Sequence, residues 1–130
     1  MLDRLLTANL TLLLAHQIDA AWWREWEMFA LPGGIQLFVF LNILIVYPLL
    51  HGYARIRARG PGWVGWSYAL AALVGCVLPI HAGFALAGLT QFHLPLSIAL
   101  IVACGAGALA QALLTRRLAA AGAPPGAVAA

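Results

Sequence analysis

Four long apolar runs, about 5–23, 35–53, 63–84 and 95–115, alternate with short polar or turn-forming breaks. A bilayer's hydrocarbon core is about 30 Å thick and takes roughly 20 mainly apolar helical residues per crossing, so each run predicts one transmembrane helix. The breaks LPGG (31–34) and ARGPG (58–62) are turn chemistry, because proline fixes φ and glycine supplies backbone angles that other residues resist. Short turns make sequential helices antiparallel neighbours. The expected architecture is all-α, an integral membrane four-helix up-down-up-down bundle over residues 1–118. From Ala119 onward, AAAGAPPGAVAA has no apolar period and reads as a disordered cytoplasmic tail, 119–130.

Composition agrees with the pattern. Of 130 residues 64% are hydrophobic and 8% charged, there is no lysine, and the mean hydropathy of +0.93 lies outside the soluble globular range. Arginine placement gives the orientation, since positively charged loops stay cytoplasmic. With both termini inside, Arg4, Arg55, Arg57, Arg59, Arg116 and Arg117 share one side, and Arg24 alone dissents. The expectation is a multi-pass protein of a bacterial-type inner membrane, N-in and C-in. The basic balance (pI about 9.4) reports that topology and no nucleic-acid partner. The first run is expected to be retained rather than cleaved as a signal peptide, because His16, Gln17 and Asp19 stand where small residues would be needed.

Several residues have ordinary structural readings. Cys76 and Cys104 fall in the third and fourth runs, in no CxxC pair, and are expected to pack as small residues. GAGALAQA (105–112), with Gly75, supplies small side chains for close helix approach, and Asn9 and Asn42 are candidates for interhelical hydrogen bonds. His51, near Arg55, reads as interfacial. No internal repeat, phosphate-cradling loop, GxSxG elbow or HExxH helix is present.

HQIDAAWWREWE (16–27) is the exception to this apolar background. It concentrates a histidine, three of the four acids (Asp19, Glu25, Glu27) and three of the five tryptophans. In the expected topology it lies toward the outer face, where the third run also delivers His81, two residues after a proline expected to bend the helix. Gln91 and His93 lie in the connection that follows. His16 and Asp19 are three apart and share a helix face, which Trp23 and Glu27 extend if the helix continues. Ionisable groups in a transmembrane segment cost on the order of 2.5–3.5 kcal/mol each at the helix centre, and they usually face a cavity or a partner. The plainer readings are interfacial anchoring by Trp22, Trp23 and Trp26, an Arg24–Glu27 surface pair, and a His16–Asp19 hydrogen bond that fixes helix contacts.

Three functions fit such a cluster. The first is a small accessory or structural membrane protein that docks other membrane subunits through helix faces or the WWREWE rim. The second is a membrane-embedded metal or acid/base site. His16, His81 and His93 would bind zinc, iron or copper with Asp19 or Glu25 beside them, or His16, Asp19 and Glu25 would move a proton on a hydrophobic small molecule entering laterally from the lipid bilayer. The third is b-type haem with His16 and His81 as axial ligands.

Over 16–34, HQIDAAWWREWEMFALPGG resembles uncharacterised small bacterial four-helix membrane proteins with a His-x-x-acid motif on the first helix. More distantly it is similar to the HXXEE-domain group. The HXXEE pattern would match His16 and place acids at positions 19 and 20, where this chain has Asp19 and Ala20. The resemblance implies a family of unknown biochemical activity. A fainter likeness to sterol-isomerase-type bundles, with histidine and carboxylates under tryptophans, implies proton transfer by analogy alone.

Overall fold

The computed structural model describes residues 1–122, and every regular element among them is a helix: α1 (Leu2–Trp22), α2 (Glu25–Met28), α3 (Gly34–Arg57), α4 (Trp63–Gly75), α5 (Val77–Leu86) and α6 (Pro95–Ala121). Three stretches are long and apolar enough to cross a membrane: α3, the α4–α5 run and α6. Although 21 residues long, α1 is less apolar because Asn9, His16, Gln17 and Asp19 interrupt it. Helix α6 extends to Ala121, into the stretch expected to be a tail; residues 123–130 lie outside the described residues.

The two glycine-containing breaks are turns. Gly33 (φ 88°) and Gly62 (φ 78°) lead into α3 and α4 in left-handed backbone, which glycine adopts without a Cβ clash. The helix that carries Pro79, where a bend is expected, is interrupted at Cys76 between α4 and α5, although Cys76 keeps right-handed helical backbone. Proline offers no N–H to the carbonyl four residues back and its ring crowds that carbonyl, so the strain falls on Gly75 and its neighbour.

Polar side chains and missing side chains together set the helix register. Asn9 Nδ2 donates to the Gly107 carbonyl (3.0 Å) and to Gln111 Oε1 (2.8 Å), joining α1 to α6. Gln111 Nε2 donates to the Ser67 carbonyl (2.8 Å), and the Ser67 and Thr115 hydroxyls lie 2.6 Å apart, joining α6 to α4. The asparagine reaches α6 only because residue 107 is glycine: a Cβ there would overlap Asn9 Oδ1. Gly105 likewise sits against Leu78, and Gly52 of α3 lies under Trp66 of α4. Asn42 forms no such link; its amide donates within α3 to the Phe38 carbonyl.

These pairs make α1 and α6 antiparallel. Asp19, late in α1, meets Ser97 at the start of α6, while Asn9, earlier in α1, meets Gly107 and Gln111 further along. The opposite end of the molecule gathers cations. Arg59 lies 3.8 Å from Asp3, and Arg4 and Arg117 flank one recess. Helix α1 packs mainly on α6, and α3 mainly on α4. Where α1 and α3 adjoin, contact is sparse, and the buried residues of α3 (Leu49, Gly52, Ile56) all lie in its C-terminal half. In the N-terminal half of α3, at the end that carries His16 and His81, the inward face (Phe38, Leu41, Asn42, Ile45) is only half-buried.

Candidate functional site

The polar cluster depends on a reversal at the end of α1. The helix stops at Trp22, Arg24 adopts left-handed backbone (φ 55°, ψ 46°), and α2 restarts at Glu25. For a non-glycine residue that conformation is unfavourable by roughly 1–2 kcal/mol, so it persists only where surrounding contacts hold it. The turn swings Glu25 inward, where it is 7% exposed, and leaves Glu27 outside, paired with Arg24. A continuous helix would have done the reverse, carrying Glu27 along the His16 face. The tryptophans divide in the same way. Trp22 is 75% exposed, Trp23 donates from Nε1 to Ser97 Oγ (3.2 Å), and Trp26 is buried against Phe38.

Glu25 meets two histidines. His16 comes from the late part of α1 and is 2% exposed; His81 comes from α5 and is 7% exposed. One ligand atom from each of the three residues falls within a group no wider than 4.8 Å. His81 Nδ1 lies 2.8 Å from the Val77 carbonyl. A carbonyl only accepts, so Nδ1 carries the hydrogen and Nε2 is left facing the cluster. Glu25 Oε1 lies 3.2 Å from that Nε2, but both atoms are then acceptors, so Nε2 makes no hydrogen bond; His16 Nδ1 is buried without a partner as well. Buried polar atoms are nearly always satisfied, so an unpaired ring nitrogen on each of two adjoining buried histidines calls for an explanation.

The site has an aromatic roof and an apolar floor. The Phe92 ring stands edge-on to His81 (centroids 4.4 Å, 87°) and 5.7 Å from His16. Below lies a recess of about 200 Å³, walled by Leu13, Trp26, Phe38, Ile45, Leu73 and Val77. Sequence reasoning singled out neither Phe92 nor the Val77 carbonyl. An isolated aromatic in a connection carries no pattern, and a backbone acceptor carries no side-chain signal.

The remaining candidates lie elsewhere. Asp19 shares the end of α1 with His16 but accepts from Ser97 Oγ (3.0 Å), and its second oxygen is buried without a partner. His93 is exposed, held by the Thr90 carbonyl (3.0 Å) and stacked near Trp23. His51 is exposed beside Trp66. Cys76 borders the recess and donates from Sγ to the Leu73 carbonyl, Cys104 is buried, and neither is in a disulfide.

No curated protein and no solved structure matches the chain. A family model does: residues 2–118, which take in all of α1 to α5 and most of α6, match a family of unknown function (DUF6713), and the chain belongs to that family.

Proposed function

We propose that this protein is a membrane-embedded metal-binding protein in which His16, Glu25 and His81 hold one divalent transition metal, zinc foremost. One observation carries the reading: three buried residues from α1, α2 and α5 bring one ligand atom each within 4.8 Å of one another, and each of the two histidines has a buried ring nitrogen without a hydrogen-bond partner. A proton bridges two such atoms; a metal satisfies all three. Two imidazoles and a carboxylate are ligands that zinc accepts, and zinc–ligand bonds of about 2.0–2.1 Å in tetrahedral geometry separate the ligand atoms by roughly 3.4 Å. The His81–Glu25 pair, at 3.2 Å, already has that spacing. The Val77 carbonyl does for His81 what an outer hydrogen-bond partner does for metal-binding histidines generally, fixing tautomer and ring orientation.

Three protein ligands leave the fourth position open, as in catalytic zinc sites, where a bound water ionises near neutral pH. Facing an apolar recess, such a site suits chemistry on a hydrophobic substrate. The geometry does not favour haem. The His16 and His81 rings meet edge to face with centroids 4.8 Å apart, which leaves no slot for a macrocycle between them. The same reading takes α1 as a fourth crossing in an up-down-up-down bundle. Both termini are then on the cytoplasmic side of an inner membrane with the arginines, and the metal lies toward the outer face.

The test is elemental analysis of detergent-purified protein, prepared without a metal-binding tag, beside His16→Ala. About one zinc, iron or copper per chain, lost in the variant, is the expected result. Metal-free wild-type protein that also fails to take up added zinc would overturn the proposal in favour of an accessory role, with the cluster serving to fix helix contacts.

A further inference from the structure

We infer that the seam between α1 and the N-terminal half of α3 is a lateral route from the lipid, and that its ligand is a membrane-dissolved molecule with a single neutral oxygen head. That head, a long-chain alcohol or carbonyl compound, places its oxygen at the fourth position of the metal. This rests on the metal-binding reading above and names the ligand class of the same site.

The two spaces adjoin across shared side chains. The recess beneath the histidines and a lipid-facing groove of about 790 Å³ on the outside of α1 and α3 share three walls: Gln17, Phe38 and Asn42. Gln17 directly follows His16, so the side chain bordering both spaces is the neighbour of a proposed ligand. The opening lies where α3 has no buried residue, its buried positions beginning only at Leu49. The groove is otherwise apolar, lined on the α3 side by Val39, Ile43 and Val46.

The chemistry of the walls selects the head. No arginine lines either space, and Glu25 is the only carboxylate that does. A phosphate head would be drawn by the charge of the metal itself, but it would have to shed its water to cross an apolar groove with no cationic side chain to receive it. A neutral oxygen brings a lone pair and no charge to be desolvated. An alkane, with no donor atom, would gain the apolar walls but leave the metal position open. The alkyl chain of an alcohol occupies the groove and its oxygen reaches past Gln17 to the buried ligand atoms.

The experiment uses the full chain loaded with cobalt(II), whose visible absorption changes when a new ligand enters the coordination sphere, in lipid nanodiscs. Dodecanol is expected to shift the cobalt band and dodecane is not. Gln17→Trp, which fills the shared wall, and Val39→Trp, which fills the groove from its lipid-facing side, are expected to raise the dodecanol concentration for half effect at least tenfold with cobalt content unchanged. Bound cobalt reports that each variant still folds, and Val39→Trp decides the matter if Gln17→Trp does not hold metal. Stoichiometric cobalt with a band indifferent to dodecanol overturns this inference alone, as does a wild-type response in the filled variants. Wild-type protein that takes up no cobalt overturns the metal reading and this inference with it.

Discussion

The pair Glu25→Gln and Asp19→Asn separates the sequence motif from the folded site. Asp19 lies three residues from His16 and reads as its helical partner, whereas Glu25 lies nine residues on, beyond a helix break. In the structure Glu25 is buried within the His16–His81 group, and Asp19 accepts a hydrogen bond from Ser97. Each substitution removes one negative charge and preserves size. Zinc in four-ligand peptide sites is held with roughly 10–16 kcal/mol at neutral pH, about 2.5–4 kcal/mol per ligand. At about 1.4 kcal/mol per tenfold change, losing one ligand weakens binding by two to three orders of magnitude. Neither other candidate is poised to replace Glu25: Asp19 lies outside the three-residue group and is anchored to Ser97 through one oxygen, and His93 is exposed beside Trp23. Asp19→Asn keeps an acceptor for Ser97 and removes only a charge outside the three-residue group, so it should weaken zinc binding by less than about tenfold. Competition titration against a chromophoric chelator, in detergent at fixed pH, measures both. Equal losses in the two variants, or a larger loss in Asp19→Asn, would refute the assignment of Glu25 as the ligand.

Other consequences concern the scaffold. Gln111→Leu removes the hydrogen bonds of this side chain to Asn9 and Ser67, and at about 0.6 kcal/mol per membrane hydrogen bond, with a maximum near 1.7, it should destabilise the bundle by about 1–2 kcal/mol in reversible unfolding from mixed micelles. Gly107→Val places a side chain where Asn9 Oδ1 now sits and should destabilise by about 1–3 kcal/mol in the same assay; an unchanged midpoint would show that α1 is not seated on α6 there. Topology is open to cysteine labelling, because native Cys76 lies inside the apolar α4–α5 run and Cys104 inside α6: a membrane-impermeant thiol reagent added outside intact cells should modify Trp22→Cys and spare Ala120→Cys. The opposite pattern would invert the orientation.

Much of the scaffold was legible in the chain because membrane helices are specified locally. A run of apolar residues long enough to cross lipid must satisfy its backbone internally, so length and hydropathy alone pick out α3, the α4–α5 run and α6, and the glycine turns mark where they end. The polar residues of α1 were equally visible, since buried polarity in an apolar chain stands out without any partner being known. The partnership of Asn9 was another matter. Its bonds depend on Gly107 and Gln111, roughly a hundred positions away, and the similar-looking Asn42 bonds only within its own helix.

Composition and periodicity by themselves therefore determined that this is a helical chain suited to a bilayer, with its polar chemistry concentrated in one stretch and six of its seven arginines outside it. They also determined which residue types were available for that chemistry. Only the tertiary structure decided which of them meet. One left-handed residue, Arg24, chooses Glu25 over Glu27, and the contacts of α6 divert Asp19 to Ser97. The break at Cys76 and the Val77 carbonyl set the ring of His81. The physical reason is common to all of these: helical periodicity predicts neighbours within one continuous helix, whereas this site is assembled across two helix ends, where a single backbone angle redirects every side chain that follows.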